Sequence, residues 1–123
     1  MILITIPSRI VSEANRREHW AAVAQRKRAH RAVACVLLKQ RGQAPTNPWR
    51  VRVTLTRIAH RELDDDNLAS GFKATRDGVA DWLGIDDGDP RISWRYAQES
   101  GAYGKYSATI KVEWDEAWPT PTQ

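Results

Sequence analysis

The stretch "LDDDNLASGFK", residues 63–73, sets three carboxylates side by side in a chain whose formal net charge is +4. Adjacent unit charges about 4 Å apart repel by roughly 4 kcal/mol at an effective dielectric near 20. In an extended segment alternate side chains point the same way, so Asp64 and Asp66 converge while Asp65 turns aside. Asp66 or Asn67 can also cap the following helix by accepting a backbone N–H, which contributes about 1 kcal/mol and accounts for one carboxylate. Beyond that helix a second acidic group, Asp86, Asp87 and Asp89, stands in "IDDGDP". A helix of about 16 residues separates its own ends by roughly 24 Å, so the two groups meet only if the loop after Gly84 runs back along the sheet edge. If they meet, a divalent cation offsets the repulsion, and carboxylate-only ligation selects a hard ion, Mg²⁺ or Mn²⁺. An EF-hand loop is excluded. Counted from Asp64, Leu68 and Ala69 stand where an oxygen ligand and a glycine are needed, and counted from Asp87, Arg91 stands at the fifth position. On the residues alone, a metal site and a capped, solvated acidic turn both remain open.

The elements that must position these acids are legible at a coarse level. "ILITI", closed by Pro7, reads as a first strand at a sheet edge. From Asn15 to Gln40 the chain lacks Gly and Pro and reads as a helix, ended by "RGQAPTNP". Its spacing puts Ala22, Ala29, Val33, Val36 and Leu37 on one side and Arg17, Lys27, Arg28 and Arg31 on the other, with Arg26 and His30 fitting neither side well. "WRVRVTLTRI" alternates as a half-buried strand, Val51, Val53 and Leu55 against Arg50, Arg52 and Thr54. After the acids, Leu68, Phe72, Thr75, Val79 and Trp82/Leu83 form the apolar stripe of a second helix that Gly84 stops. "ISWRYAQ" and "YSATIKVEW" are two further strands joined by "ESGAYGK". The order β-α-β-α-β-β predicts a two-layer α+β domain with two helices on a mixed sheet, over residues 1–118, followed by a frayed tail at 119–123.

Charge is distributed unevenly. Residues 1–58 hold 12 Lys/Arg against 2 Asp/Glu, residues 59–90 hold 3 against 9, and the remainder is balanced. Such a split suits a chain that attracts a polyanion and also holds a cation. Arg16, Arg17, Arg26, Lys27, Arg28 and Arg31 are the candidate phosphate-binding positions, set against the alternative of a solvated charged helix face. His19 and Trp20 read as a half-buried packing pair, with contact to DNA as the alternative. The single cysteine, Cys35, lies in an apolar run and reads as a buried thiol, with no spacing suited to zinc or to a disulfide framework. "MILITIP" has neither the basic start of a signal peptide nor the length of a membrane span, which predicts a soluble cytoplasmic protein.

"LDDDNLASGFKATRDGVADWLGIDDGD" resembles the signature of RusA-type Holliday junction resolvases, with an Asp-x-Asp-Asn motif, a helix carrying Lys and Asp, and then Asp-Asp. The likeness is specific over residues 61–89, and "SEAN" at 12–15 resembles the Ser/Asn-containing N-terminal segment of that family. It implies a homodimeric, Mg²⁺-dependent endonuclease, Mn²⁺ substituting, that cuts four-way DNA junctions symmetrically without a small-molecule cofactor. By motif, Asp64, Asp66 and Asp87 match the metal-binding acids and Lys73 the catalytic lysine. The family lysine usually follows the Asp-Asn pair by one turn, whereas Lys73 lies six residues after Asn67, with Ser70 at the expected place. Three extra residues turn a helical side chain by about 300° and advance it about 4.5 Å, so nearly the same face is restored and Lys73 can still serve. Without the resemblance, Lys73 is read as an i,i+4 partner of Asp77. Two other readings stand beside the resolvase: a non-catalytic DNA-binding protein with a structural acidic turn, and a related nuclease that acts on flaps or forks.

Overall fold

A computed structural model describes residues 1–12 and 19–115. The elements are β1 (Ile2–Ile6), α1 (Trp20–Arg41), β2 (Arg50–Ala59), α2 (Asp65–Gly71), α3 (Lys73–Leu83), β3 (Ile92–Ser100) and β4 (Ser107–Asp115). The sheet runs β1-β4-β2-β3, with β2 parallel to β3 and the other neighbours antiparallel. This is the expected two-layer α+β architecture on a mixed sheet, and β1 lies at the edge that Pro7 anticipates. The predicted tail 119–123 lies outside the described residues. Among the described residues no helix is long and apolar enough to cross a membrane.

Strand alternation sends Val51, Val53 and Leu55 into the core with Ile6, Ile110 and Val112, while Arg50 and Arg52 stay exposed on the opposite face. The second helical stripe is likewise buried, from Leu68 through Phe72, Thr75 and Val79 to Trp82 and Leu83, and Gly84 ends it in the left-handed conformation at φ 72°.

That second helix is two helices rather than one. The chain breaks at Phe72, whose N–H reaches back to the carbonyls of both Leu68 and Ala69 at 3.2 Å in a tightened last turn. Beside the break the segment through Ile10 and Val11 crosses so close to Gly71 that a Cβ there would stand 2.6 Å from the Val11 carbonyl oxygen. Lys73 opens α3, directly after a junction residue that keeps αR backbone angles.

The face that α1 buries also differs from expectation. His30, Ala34 and Leu38 are buried, Arg26 is half-buried, and Ala22, Ala29 and Val36 are exposed. Close approach to α3 selects this face. A Cβ at Gly78 would overlap the Arg31 carbonyl oxygen and come within 2.9 Å of the Ala34 Cβ, so two small residues let the helix axes pass nearer than an Ala22–Ala29–Val36 seam would. Cys35 is half-buried against the core rather than enclosed. His19 and Trp20 are exposed, and His19 caps α1 through Nδ1, which accepts from the Ala21 N–H at 3.2 Å.

Thr75 is fully buried on the core stripe, and among the described residues its hydroxyl has no hydrogen-bond partner. An unsatisfied buried hydroxyl costs about 1–3 kcal/mol. Thr75→Val is isosteric and removes that penalty, so it is expected to raise stability by about 1 kcal/mol in urea unfolding. A loss of stability would mean that the hydroxyl is satisfied in solution.

Candidate functional site

Two inward-facing polar residues of the sheet fix the chain where it delivers the acids. Arg57 continues the inward parity of Val51, Val53 and Leu55 and is 8% exposed. Its Nε donates to the Ile10 carbonyl at 2.9 Å and its Nη1 to the Arg61 carbonyl, so one guanidinium ties the N-terminal segment to the turn after β2. Burial, and then the nearby Arg9, push the Arg57 pKa down from its ordinary value. Gln98 of β3 donates from Nε2 to the Leu63 carbonyl at 2.8 Å, and its Oε1 accepts from the Leu63 N–H at 2.9 Å. This side-chain amide replaces a neighbouring strand and sets the register at which residue 64 enters α2.

The cap of α2 is consequently Asp64, not Asp66 or Asn67. Its Oδ1 accepts from the Asn67 N–H at 2.9 Å and its Oδ2 from the Asn67 side-chain amide at 3.0 Å. The Asn67 Oδ1 in turn accepts from Ser12 at 2.7 Å, which joins the first residue of "SEAN" to the acidic turn. Asp65 and Asp66 occupy the exposed first turn of α2, where the helix dipole favours negative charge.

The loop after Gly84 returns to the start of α3. Lys73 Nζ donates to Asp87 Oδ2 at 2.8 Å and to Asp77 Oδ1 at 2.9 Å, so the i,i+4 pair and the longer contact are both made. Arg76 also donates through Nε to Asp87 Oδ2 at 2.9 Å, and through Nη2 to the Asp87 carbonyl at 3.1 Å. Trp94 Nε1 donates to that same carbonyl at 2.8 Å while its ring lies 4.6 Å beneath the Arg76 guanidinium. Tyr96 accepts from Arg76 Nη1 at 3.1 Å. Asp87 is thus locked in place by β3 and α3 together.

No family model matches the chain, and no curated protein does.

The hydrogen bond from Lys73, and then the charges of Lys73 and Arg76, hold the Asp87 carboxyl below the usual carboxylate range, and Asp87 followed by Asp77 raises the Lys73 ammonium. The depressed acid stabilises the fold above its unfolded pKa near 3.9, and this contribution is lost as the pH falls from there through the folded value. Wild type and Asp87→Asn are therefore expected to differ in urea stability at pH 6 and to begin converging only as the pH falls below about 4, toward the folded value. A difference that stays constant down to pH 2 would remove the ion pair as its source.

For a hard cation the donor chemistry suits and the arrangement is incomplete. Asp64 and Asp66 are exposed carboxylates on one short turn, both oxygens of Asp64 accept from Asn67, and Asp87 spends Oδ2 on Lys73 and Arg76. Among the described residues no three His, Cys, Asp or Glu side chains stand together as a ligand set. The structure brings Asp87 to Lys73 and does not assemble Asp64, Asp66 and Asp87 as one cage. Asp86 and Asp89 turn to their own loop, Asp86 accepting from the Gly88 N–H and Asp89 pairing with Arg91.

The predicted cationic face is also divided. Lys27 and Arg28 are exposed, Arg26 is half-buried, and Arg16 and Arg17 lie outside the described residues. Arg31 is committed to α3 through a two-pronged contact with Asp81 at 2.7 and 2.8 Å, which leaves that cation neutralised at the surface. Residues missed at the sequence level are Arg57, Arg76, Gln98, Trp94 and Tyr96. Arg57 and Gln98 carried a usable signal, since each is a polar residue on the inward parity of its strand.

Proposed function

We propose that this protein is a Mg²⁺-dependent endodeoxyribonuclease of branched DNA that acts as a homodimer on four-way junctions. The observation that carries the reading is the 2.8 Å Lys73–Asp87 contact, which returns the second acidic loop to the helix that directly follows the first acidic turn. Asp64 and Asp66 are the residues that would hold the ion, and Asp87 would join them only by leaving its contacts with Lys73 and Arg76. Mg²⁺, when bound, supplies water activation and offsets the negative charge of the phosphodiester. Lys73, 57% exposed, presents its ammonium to a phosphoryl oxygen, and Arg76 and Trp94 keep the Asp87 loop in register while it does so. Lys27 and Arg28 add phosphate contacts on α1.

The non-catalytic DNA-binding reading has its own support, because Asp64 is satisfied as a helix cap and Asp87 as an ion-pair partner. Incubating labelled four-way junction, flap and linear duplex with Mg²⁺, with Mn²⁺ and with EDTA separates the two. The nuclease predicts metal-dependent cleavage of the junction over linear duplex and loss of cleavage in Asp66→Asn. Tight binding with no cleavage under any condition would establish the binding protein instead. Preferred cutting of the flap would keep the chemistry and replace the substrate.

A further inference from the structure

The sheet face turned away from the helices carries a second cationic surface that the sequence reading left unused. A groove of about 1010 Å³ runs over the first halves of β2 and β3, and Arg50, Arg52, Arg91, Arg95, Ser93 and Trp49 help to line it. The register explains the cluster: Arg52 pairs with Ser93 and Thr54 with Arg95 across two parallel strands, so their side chains share the outer face. Among the described residues no Asp or Glu lines the groove, while Asp115 and Glu113 stand opposite Arg50 and Arg52 on β4. Arg91 is neutralised by Asp89 at 3.0 Å and shapes the rim, donating also to the Pro48 carbonyl. Arg50, Arg52 and Arg95 remain, and among the described residues none of the three has a carboxylate partner within salt-bridge distance; the nearby Glu113 is paired with Lys111 at 3.6 Å. Arg50 is held over the Trp49 ring at 4.5 Å, which fixes its guanidinium at the groove wall.

Three guanidinium groups without a carboxylate at salt-bridge distance among the described residues, one of them braced on an indole, complement a chain of phosphates, because Arg binds phosphate oxygens two at a time. The groove is joined to the candidate site through one loop. Asp87 and Arg91 are four residues apart, so their Cα atoms are separated by at most about 14 Å, Asp87 meeting Lys73 and Arg91 lining the groove. We propose that Arg50, Arg52 and Arg95 form a binding track for the phosphodiester backbone of nucleic acid on the outer face of the sheet, separate from the α1 cations. The inference rests on the nucleic-acid part of the function proposed above and not on cleavage.

The test is fluorescence anisotropy of a 20-nucleotide single strand and of the matching duplex, lengths of about 20 units being ample for three contacts, in EDTA so that hydrolysis does not enter. Wild type, Arg52→Gln/Arg95→Gln and Lys27→Gln/Arg28→Gln are compared at several salt concentrations. The Arg52→Gln/Arg95→Gln protein is expected to bind about tenfold more weakly near 0.1 M salt, with a salt slope shallower by about 1.4 for single strand or about 1.8 for duplex. The nucleic acid that shows the larger change is the one the groove holds. Unchanged affinity and slope for both would overturn the inference, as would loss of binding to anionic phospholipid vesicles with oligonucleotide binding intact. Phenylglyoxal modification of the wild-type protein gives a readout independent of variant folding: bound oligonucleotide should protect Arg52 and Arg95, and unprotected arginines would count against the track. Cleavage of a junction by the Mg²⁺-loaded wild type is scored separately, so a protein that binds and never cuts refutes only the nuclease, and one that cuts while the variant binds normally refutes only the groove.

Discussion

Gly78→Ala is expected to destabilise the domain by about 2 kcal/mol or more, against the usual effect of removing a glycine from a helix interior. Helix propensity alone favours alanine there by about 1 kcal/mol. The added methyl, however, meets backbone: it overlaps the carbonyl oxygen of Arg31 and approaches the Ala34 Cβ to 2.9 Å. A flexible side chain could swing away, whereas the α1 backbone can yield only by moving the helix off α3. That movement loosens the packing around Ala34, Leu38 and Val79, all fully buried, and pulls on the Arg31–Asp81 contact. Overpacking of this kind costs about 1–3 kcal/mol when side chains absorb it and more when backbone must, so the clash exceeds the propensity gain. For a chain of 123 residues the expected fall in Tm is about 10 °C. Gly88→Ala serves as the control, since its Cβ would meet only the Asp86 carboxylate oxygen at an ordinary 3.5 Å. An unchanged or raised Tm for Gly78→Ala would mean that the two helices are not in close contact in solution.

The same contact explains why part of the fold was legible in the sequence and part was not. Periodicity located the strands and the stripe from Leu68 to Leu83 because in each the buried face is apolar and its neighbours are not. Helix α1 offers no such contrast: alanines are spread around it, and the choice of Ala34 over Ala29 is made by Gly78, 44 positions away. The division at Phe72 likewise carries no Gly or Pro signal at the residue itself, which keeps αR backbone angles. Capping could be anticipated in kind but not in place. Any of the adjacent acids can accept a backbone N–H, and Asp64 is selected by the grip of Gln98 on Leu63, which pairs residues 35 positions apart. Of the candidate site, the residue types were readable and the pairing only half so. Spacing gives Lys73 with Asp77; that Lys73 also takes Asp87 depends on Trp94 and Arg76 holding the returning loop.

Asp87→Asn is expected to reduce junction cleavage by more than the roughly 10–100-fold that follows loss of a supporting residue at a metal site, if the proposed nuclease reading holds. Binding of the junction in EDTA should be unchanged or tighter, because a negative charge beside the DNA is removed. Lys73→Met separates the roles further. It releases Asp87 from one of its two cations and removes the ammonium offered to phosphate, so cleavage falls while the carboxylate stays. The two changes touch the same contact, and their combined effect on cleavage should be smaller than the sum of the separate effects. A purely structural ion pair predicts something else: neither variant alters any DNA cleavage, Lys73→Met weakens binding slightly through the lost charge, and both lose stability together. Arg76 makes the distinction sharper, since Arg76→Lys keeps a cation on Asp87 Oδ2 but gives up the fork that also grips the Asp87 carbonyl and Tyr96. If loop position is what matters for cleavage, Arg76→Lys should be impaired nearly as much as Lys73→Met. If charge alone matters, it should cut at close to the wild-type rate.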